Sequence, residues 1–338
     1  MAGGNSWLHL TNKSKLTGNY QGLGYLSALA DTHIVIDGGS SVACPIQTTS
    51  GHDNVIAATN ATLTGNVGMH GSNDTFRAHN VTMSGKLSLY FNANLYAQHS
   101  RAVFSGGESA CSFSGLAFAG KNNVIEFADG CTNTVSTSTI LDWAGSNNTF
   151  RVGERALVRL SYTRTSAPAS LRDCRVEIKK GGRLVSSAQQ EFFGQRMGLV
   201  LDGGCLDCLY ARVGTGASSN GCFVELNGDD ARLFATNGQW ASFSIGHNGA
   251  SEPMRISFTP GNSGFHDEVP IVAQTDVSVA TNTLVEIDAR KCFAGKTGLL
   301  RLPLIKSNGG MGRKINLTDA QLETLTANGS FKPAGGNL

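Results

Sequence analysis

The sequence predicts an all-β chain: a single-stranded right-handed parallel β-helix (a β-solenoid) with coils of about 20–26 residues and a short C-terminal helix. Three observations carry this expectation. A short phrase returns four times, as GHDNVI from Gly51, GSNDTF from Gly71, GKNNVI from Gly120 and GSNNTF from Gly145, at intervals of 20, 49 and 25 residues. Self-similarity at such periods marks a repeat architecture. Each copy leads into apolar–polar alternation, the signature of a half-buried strand. Finally, 42 Gly, only 7 Pro and 15% charged residues suit many tight turns and one narrow core.

The elements follow in order. In IAATNATLTG from Ile56 and FRAHNVTMSG from Phe76 every landmark is displaced by 20, with Asn60 matching Asn80, Leu63 matching Met83 and Gly65 matching Gly85. A second form then takes over: IEF at Ile125, FRV at Phe150, VEI at Val176, LVL at Leu199 and VEL at Val224, spaced 25, 26, 23 and 25 residues apart. A turn and a second apolar pair follow, as in VEIKKGGRLV, so each repeat reads as strand, turn, strand and longer return loop. Stacked coils place equivalent residues about 4.8 Å apart. The middle residues Glu126, Arg151 and Glu177, then Val200 and Glu225, should form an outward column, and their neighbours inward ladders. Asn54, Asp74, Asn123 and Asn148 fall where the chain turns sharply, and turn formation is the expected reason for them.

Past Phe243 the period is harder to follow, because Phe243 and Ile256 stand too close together in sequence for a full coil. VSVA at Val277 and VEIDARKCF at Val285 resume it. The tail carries a capping box at Thr318–Gln321 and a stop at Asn328–Gly329, so one short helix is expected from Asp319 to Thr326. It would cover an open end of the solenoid or pack without a capping role. The expected division is residues 1–310 as β-helix and 311–338 as C-terminal segment.

Composition excludes some functions. A net charge of +2 without a basic stripe argues against nucleic acid, and no apolar run reaches the length of a membrane span. MAGGN lacks the features of a signal peptide; a mature chain with an added Met, or an intracellular one, would begin so. Low charge and abundant Asn, Ser, Thr and Gly favour the former, a secreted or cell-surface location.

Eight cysteines, at 44, 111, 131, 174, 205, 208, 222 and 292, follow no readable framework. Buried free thiols, an inter-coil disulfide and a metal site all remain open; for zinc, Cys205-Leu206-Asp207-Cys208 lacks a second ligand pair.

The coil length, the G-x-N-N turns and the segment VEIDARKCFAGKTGLLRLPLI resemble secreted bacterial right-handed parallel β-helix proteins, with autotransporter passenger-like or pectin-lyase-like solenoids, over roughly residues 5 to 310. The resemblance implies a fold and leaves activity open, since such proteins include adhesins as well as polysaccharide lyases and hydrolases. β-Helix polygalacturonases carry Asn-Thr-Asp, Asp-Asp, Gly-His-Gly and Arg-Ile-Lys. Here Asp229-Asp230, Gly246-His247-Asn248-Gly249 and Arg255-Ile256-Ser257 keep that order, but the first element is missing, Ser257 replaces the lysine, and His247 lies too close to Arg255. A calcium-dependent lyase would need clustered acids and a base. Asp202, Asp207, Asp229 and Asp230 are the richest acidic neighbourhood, with Asn227 and Lys179 expected beside Asp202.

The sequence therefore assigns no catalytic, cofactor-binding or metal-ligating residue and no cofactor. The expected function is a non-enzymatic surface or secreted module for display, adhesion or carbohydrate binding, with a glycan or host/cell-surface ligand as partner. The alternative is a carbohydrate-active enzyme, lyase or hydrolase, on the same fold.

Overall fold

The computed structural model describes residues 5–18, 26–49, 51–92, 95–109, 115–118, 120–133, 140–160, 162–165, 171–294, 302–308 and 315–316. The chain is all-β in character, with long parallel sheets, and falls into two compact units, Met1–Tyr162 and Thr163–Leu338. The expected helix from Asp319 to Thr326 lies outside the described residues.

In the first unit one sheet runs Trp7–Leu10, His33–Ile36, Val55–Thr59, Thr75–His79, Arg101–Ser105, Val124–Phe127 and Thr149–Val152, every neighbour parallel. In the second unit the corresponding run is Arg175–Ile178, Gly198–Asp202, Phe223–Asn227, Arg255–Thr259 and Leu284–Ile287. The displacement seen in the early repeats is a register: Ile56 faces Phe76 and Leu63 faces Met83. The long interval between the second and third phrases contains the strand Arg101–Ser105, whose Ala102 lies between Phe76 and Ile125.

Each repeat holds three strands rather than two. After the first-sheet strand the chain supplies one to a second set, such as Cys205–Cys208, and one to a third, such as Tyr210–Val213. The third lies in what reads as a return loop, because segments such as QQEF at Gln189–Phe192 alternate polar with apolar residues too weakly to stand out. Coil length is also corrected. Val224 pairs with Ile256, and Ile256 with Val285, so each of these coils takes up more chain than the expected range allows. The extra residues sit at corners, before Ser242–Ile245 and before Ile271–Ala273. Phe243 and Ile256 belong to different sheets, so their short spacing was never a coil.

The inward ladders are as the alternation demands. Ile125, Phe127, Phe150 and Val152 are buried in the first unit, and Val176, Ile178, Leu199, Leu201, Val224 and Leu226 in the second. Phe104 stacks on Phe127 with ring centroids 5.0 Å apart, a geometry that adds to area burial. Outward, Glu126 faces Arg151 across the register at 3.6 Å and also meets Arg101 at 2.6 Å. Glu177 departs from its expected exposure: Arg175 at 3.0 Å and Lys179 at 3.9 Å flank it, and only 7% of it reaches solvent.

The repeated G-x-N-N phrase has a distinct physical duty at each position. A Cβ at Gly145 would lie 2.0 Å from the carbonyl oxygen of Gly120, so glycine is required by the close approach of successive turns. The first Asn/Asp takes the left-handed backbone, with φ of 56° at Asp53, 56° at Asn73, 60° at Asn122 and 53° at Asn147. The second does not turn the chain. Asn54, Asp74, Asn123 and Asn148 are buried, and each side chain accepts a backbone N–H from the preceding repeat: Thr32 to Asn54 at 3.2 Å, Asn54 to Asp74 at 3.0 Å, Ser100 to Asn123 at 2.9 Å and Asn123 to Asn148 at 3.0 Å. The amides of Asn123 and Asn148 also donate to the carbonyls of Ala97 and Gly120. In the second unit the residue before each first-sheet strand is Cys174, Met197, Cys222, Met254 or Thr283, all buried. At four of these five positions sulfur fills the place that amides hold in the first unit, and the Cys222 N–H lies 3.2 Å from Met254 Sδ.

Asp74 is the one carboxylate among these amides, and burial pushes its pKa up against the bonds from Thr48, Asn54 and Gly71. Beside it, buried His70 is pushed down to about 4 by desolvation, so its ring is neutral at pH 7.

This corner can be probed in two ways. Asn123→Ala strands the buried Ser100 N–H and Ala97 carbonyl and should cost about 2–4 kcal/mol in urea unfolding, whereas Asn122→Gly, at a left-handed position, should shift stability by less than about 1 kcal/mol. Equal costs would refute the division of labour. For His70, the folded state resists protonation, so its contribution is full above the unfolded pKa of about 6.5 and is lost as pH falls through about 4. The stability gap between wild type and His70→Gln should narrow between those two pH values; a constant gap would place the proton elsewhere.

Candidate functional site

In the second unit, the loop after the strand Ser242–Ile245 and the turn after Val277–Val279 border an open cleft of about 320 Å³. Its lining is Gly246, His247, Asn248, Ser278, Val279, Ala280 and Thr281. Parallel register explains why these segments meet, since Ser244 faces Ser278 and Ile245 faces Val279. The left-handed φ of 79° at Gly246 turns the chain out of the sheet.

The chemistry of the cleft is neutral and polar. His247 Nε2 lies 2.9 Å from the Ser219 carbonyl, and its Nδ1 accepts the Gly249 N–H at 3.2 Å. Both ring nitrogens are therefore engaged in holding the loop, with the proton on Nε2 where it can be donated to the carbonyl. Thr281 Oγ1 donates to Asn248 Oδ1 at 3.1 Å, which orients the amide. That leaves the Asn248 NH₂ and the exposed Ser278 hydroxyl to offer donors and acceptors to a ligand. Ser278 also belongs to an outward line across the third set of strands, Glu191, Arg212, Ser244 and Ser278. Arg212 lies over the Tyr210 ring at 5.5 Å, so the surface leading to the cleft presents a planar guanidinium on an aromatic face.

The residues with polygalacturonase-like order are not gathered here. Of them only His247 lines the cleft, with its neighbours Gly246 and Asn248. Asp229 accepts backbone N–H groups of Ser263, at 3.1 Å, and Phe265, at 3.3 Å, and so ties down the insertion that follows Arg255–Thr259. Asp230 pairs with His266 at 3.1 Å, not with His247. Arg255 pairs with Glu225 at 2.7 Å and lies over Phe223 at 5.3 Å. Nearby, the buried Arg232 guanidinium meets Glu268 at 2.9 Å and donates to the carbonyls of Asp229, Ala231 and Phe265. This constellation has the charges of an active site, but Asp229 and Arg232 spend theirs on fixing the insertion.

The expected neighbourhood of Asp202 is present as drawn: Asp202 faces Asn227 in register, and Lys179 Nζ lies 3.4 Å from its carboxylate. Asp207 is on a different sheet, 3.9 Å from Arg183, so the four acids do not converge. The seven described cysteines are free thiols. Cys205 and Cys208 point to opposite faces of one strand, the first half-buried and the second buried, because three residues along a strand reverse the side. That geometry denies them a shared metal. Desolvation raises both thiols, Cys205 to about 11, which keeps it protonated and unreactive at neutral pH. Among the described residues, Asp31, His52 and Asp53 in the first unit are the set whose potential ligand atoms lie within 4.8 Å of one another.

Asn248, Ser278 and Thr281 do not stand out in the sequence as a group, because they meet only through a register that spans a whole coil; VSVA at Val277 shows the strand but not what it faces. No helix among the described residues is long and apolar enough to cross a membrane. Comparison with protein-family models, with curated proteins and with solved structures finds no significant match for this chain.

If Asp229 serves the insertion rather than chemistry, Asp229→Asn should weaken two charge-assisted bonds and cost about 1–2 kcal/mol. Hydrogen exchange should quicken at the Ser263 and Phe265 amides while His247 amide exchange stays unchanged. Exchange unchanged at both amides would contradict the assignment.

Proposed function

We propose that the chain is a right-handed parallel β-helix acting as a non-catalytic, secreted or cell-surface module that binds a glycan. The solenoid reading rests on strands that enter three sets in rotation with parallel register, and the hand follows the general preference of parallel crossovers. The observation that carries the binding reading is the neutral polar cleft around Asn248 and Ser278. The strand hydroxyl of Ser278 and the turn groups of Asn248 and Thr281 match the alternating donors and acceptors of a sugar ring, and they do so without charge. The Tyr210–Arg212 pair on the same run of strands supplies the planar surface on which a further sugar could stack.

The non-catalytic reading is supported by the occupation of the acids. Glycoside hydrolysis needs two carboxyl groups facing one bond. Asp229, Asp230, Glu225 and Asp202 are each engaged with a backbone amide or a basic side chain.

A glycan array followed by calorimetry tests the proposal. Ser278→Trp fills the cleft from an exposed position and should abolish binding of any glycan found, with Tm unchanged, while Lys179→Ala on another sheet should bind normally. Pectate, polygalacturonate and alginate should yield no unsaturated or reducing-end product, with or without calcium. Product formation that is lost in Asp230→Asn or His247→Ala would replace this reading with the enzyme alternative; loss in Asp202→Asn would point to a calcium-dependent lyase. Glycan binding unaffected by Ser278→Trp would remove the cleft from the argument.

A further inference from the structure

We propose that Asp31, His52 and Asp53, at one corner of the first unit, form a binding site for a divalent transition-metal ion of the zinc type. The three side chains bring their potential ligand atoms within 4.8 Å of one another. His52 Nδ1 already lies 2.8 Å from Asp53 Oδ2. A tetrahedral ion with bonds of about 2.0–2.1 Å spaces its ligands about 3.3 Å apart, so the set needs only small rotations of exposed or half-exposed side chains to close around it.

The turn itself does not explain this chemistry. Asp31 and Asp53 occupy the left-handed position of successive repeats, with φ of 48° and 56°. The Asp31 N–H donates to the His52 carbonyl at 3.0 Å, which joins the two turns. At the same position Asn73, Asn122 and Asn147 adopt φ of 56°, 60° and 53° without charge. Asparagine thus satisfies the backbone, so the turn does not require the two carboxylates, and a cation between them would relieve their mutual repulsion. The residue before the left-handed position is serine at Ser72 and Ser146, and His52 puts an imidazole there.

The donor set decides the class of ion. Calcium and magnesium favour oxygen ligands throughout, whereas one imidazole with two carboxylates suits zinc and its first-row neighbours. The two carboxylates balance the dication, and three protein ligands leave a position for water.

The test uses the full chain, titrated calorimetrically with zinc chloride at pH 7.5. The variants His52→Ser and Asp53→Asn install the residues of the Ser72–Asn73 turn, so the fold should be kept, as an unchanged Tm would verify. One zinc per chain is expected in the wild type, weakened by about tenfold or more in each variant. Any of three results would overturn the proposal: no saturable zinc binding, zinc binding of equal affinity in both variants, or calcium bound as tightly as zinc and unaffected by His52→Ser.

Discussion

Parallel stacking of short strands creates one recurrent problem, the backbone amide that meets each corner with no strand partner. A buried N–H left unpaired costs about 1–3 kcal/mol, and here the deficit would recur in every repeat. In the first unit a side chain from the next repeat meets it, from Asn54 through Asp74 and Ser100 to Asn123 and Asn148. The rest of the architecture depends on this exchange, because it fixes how far each repeat is displaced from the last. Once that displacement is set, Phe76, Phe104, Phe127 and Phe150 touch one after another from two adjacent inward ladders, and Gly145 must lack a side chain to clear the Gly120 carbonyl.

The second unit meets the same corner with softer groups. Cys174, Met197, Cys222 and Met254 are buried, and the Cys222 thiol donates to the Gly194 carbonyl at 3.1 Å. Sulfur is polarisable and makes weaker, less directional bonds than an amide. The coils there are also less uniform, lengthening between Val224 and its partner Ile256. The insertions that lengthen them must be secured separately. Asp229 and Arg232 do so from opposite ends of one short turn, the carboxylate taking backbone N–H groups and the guanidinium taking carbonyls. Charge that looks catalytic in the sequence is thereby absorbed by the scaffold.

Function, on this reading, is left to positions that the stack does not need. The cleft arises where a glycine turn leaves the sheet and the next repeat passes beneath it, so its polar groups come from segments that are remote in sequence but adjacent in register. The Asp31–His52–Asp53 group has the same origin at another corner: the turn tolerates Asn, and the chain supplies Asp and His instead.

Much of the fold was legible because alternation with period two is a local property: Ile125–Phe127 or Val224–Leu226 declare their buried face without any knowledge of their neighbours. The shorter coils declared their register in the same way, through landmarks such as Leu63 and Met83. The repeated phrase also announced a corner, but the division of its two Asn/Asp residues was not readable, since both types suit a left-handed turn. Only the stacked structure separates Asn122, which answers that backbone demand, from Asn123, buried against Ser100 and Ala97. The candidate site was less legible still. His247 was visible in its glycine turn, yet Asn248, Ser278 and Thr281 converge through a coil whose length the insertions had changed. Residue chemistry and strand phase are written locally; which residues meet across the stack depends on coil length, and that is decided only when the corners are packed.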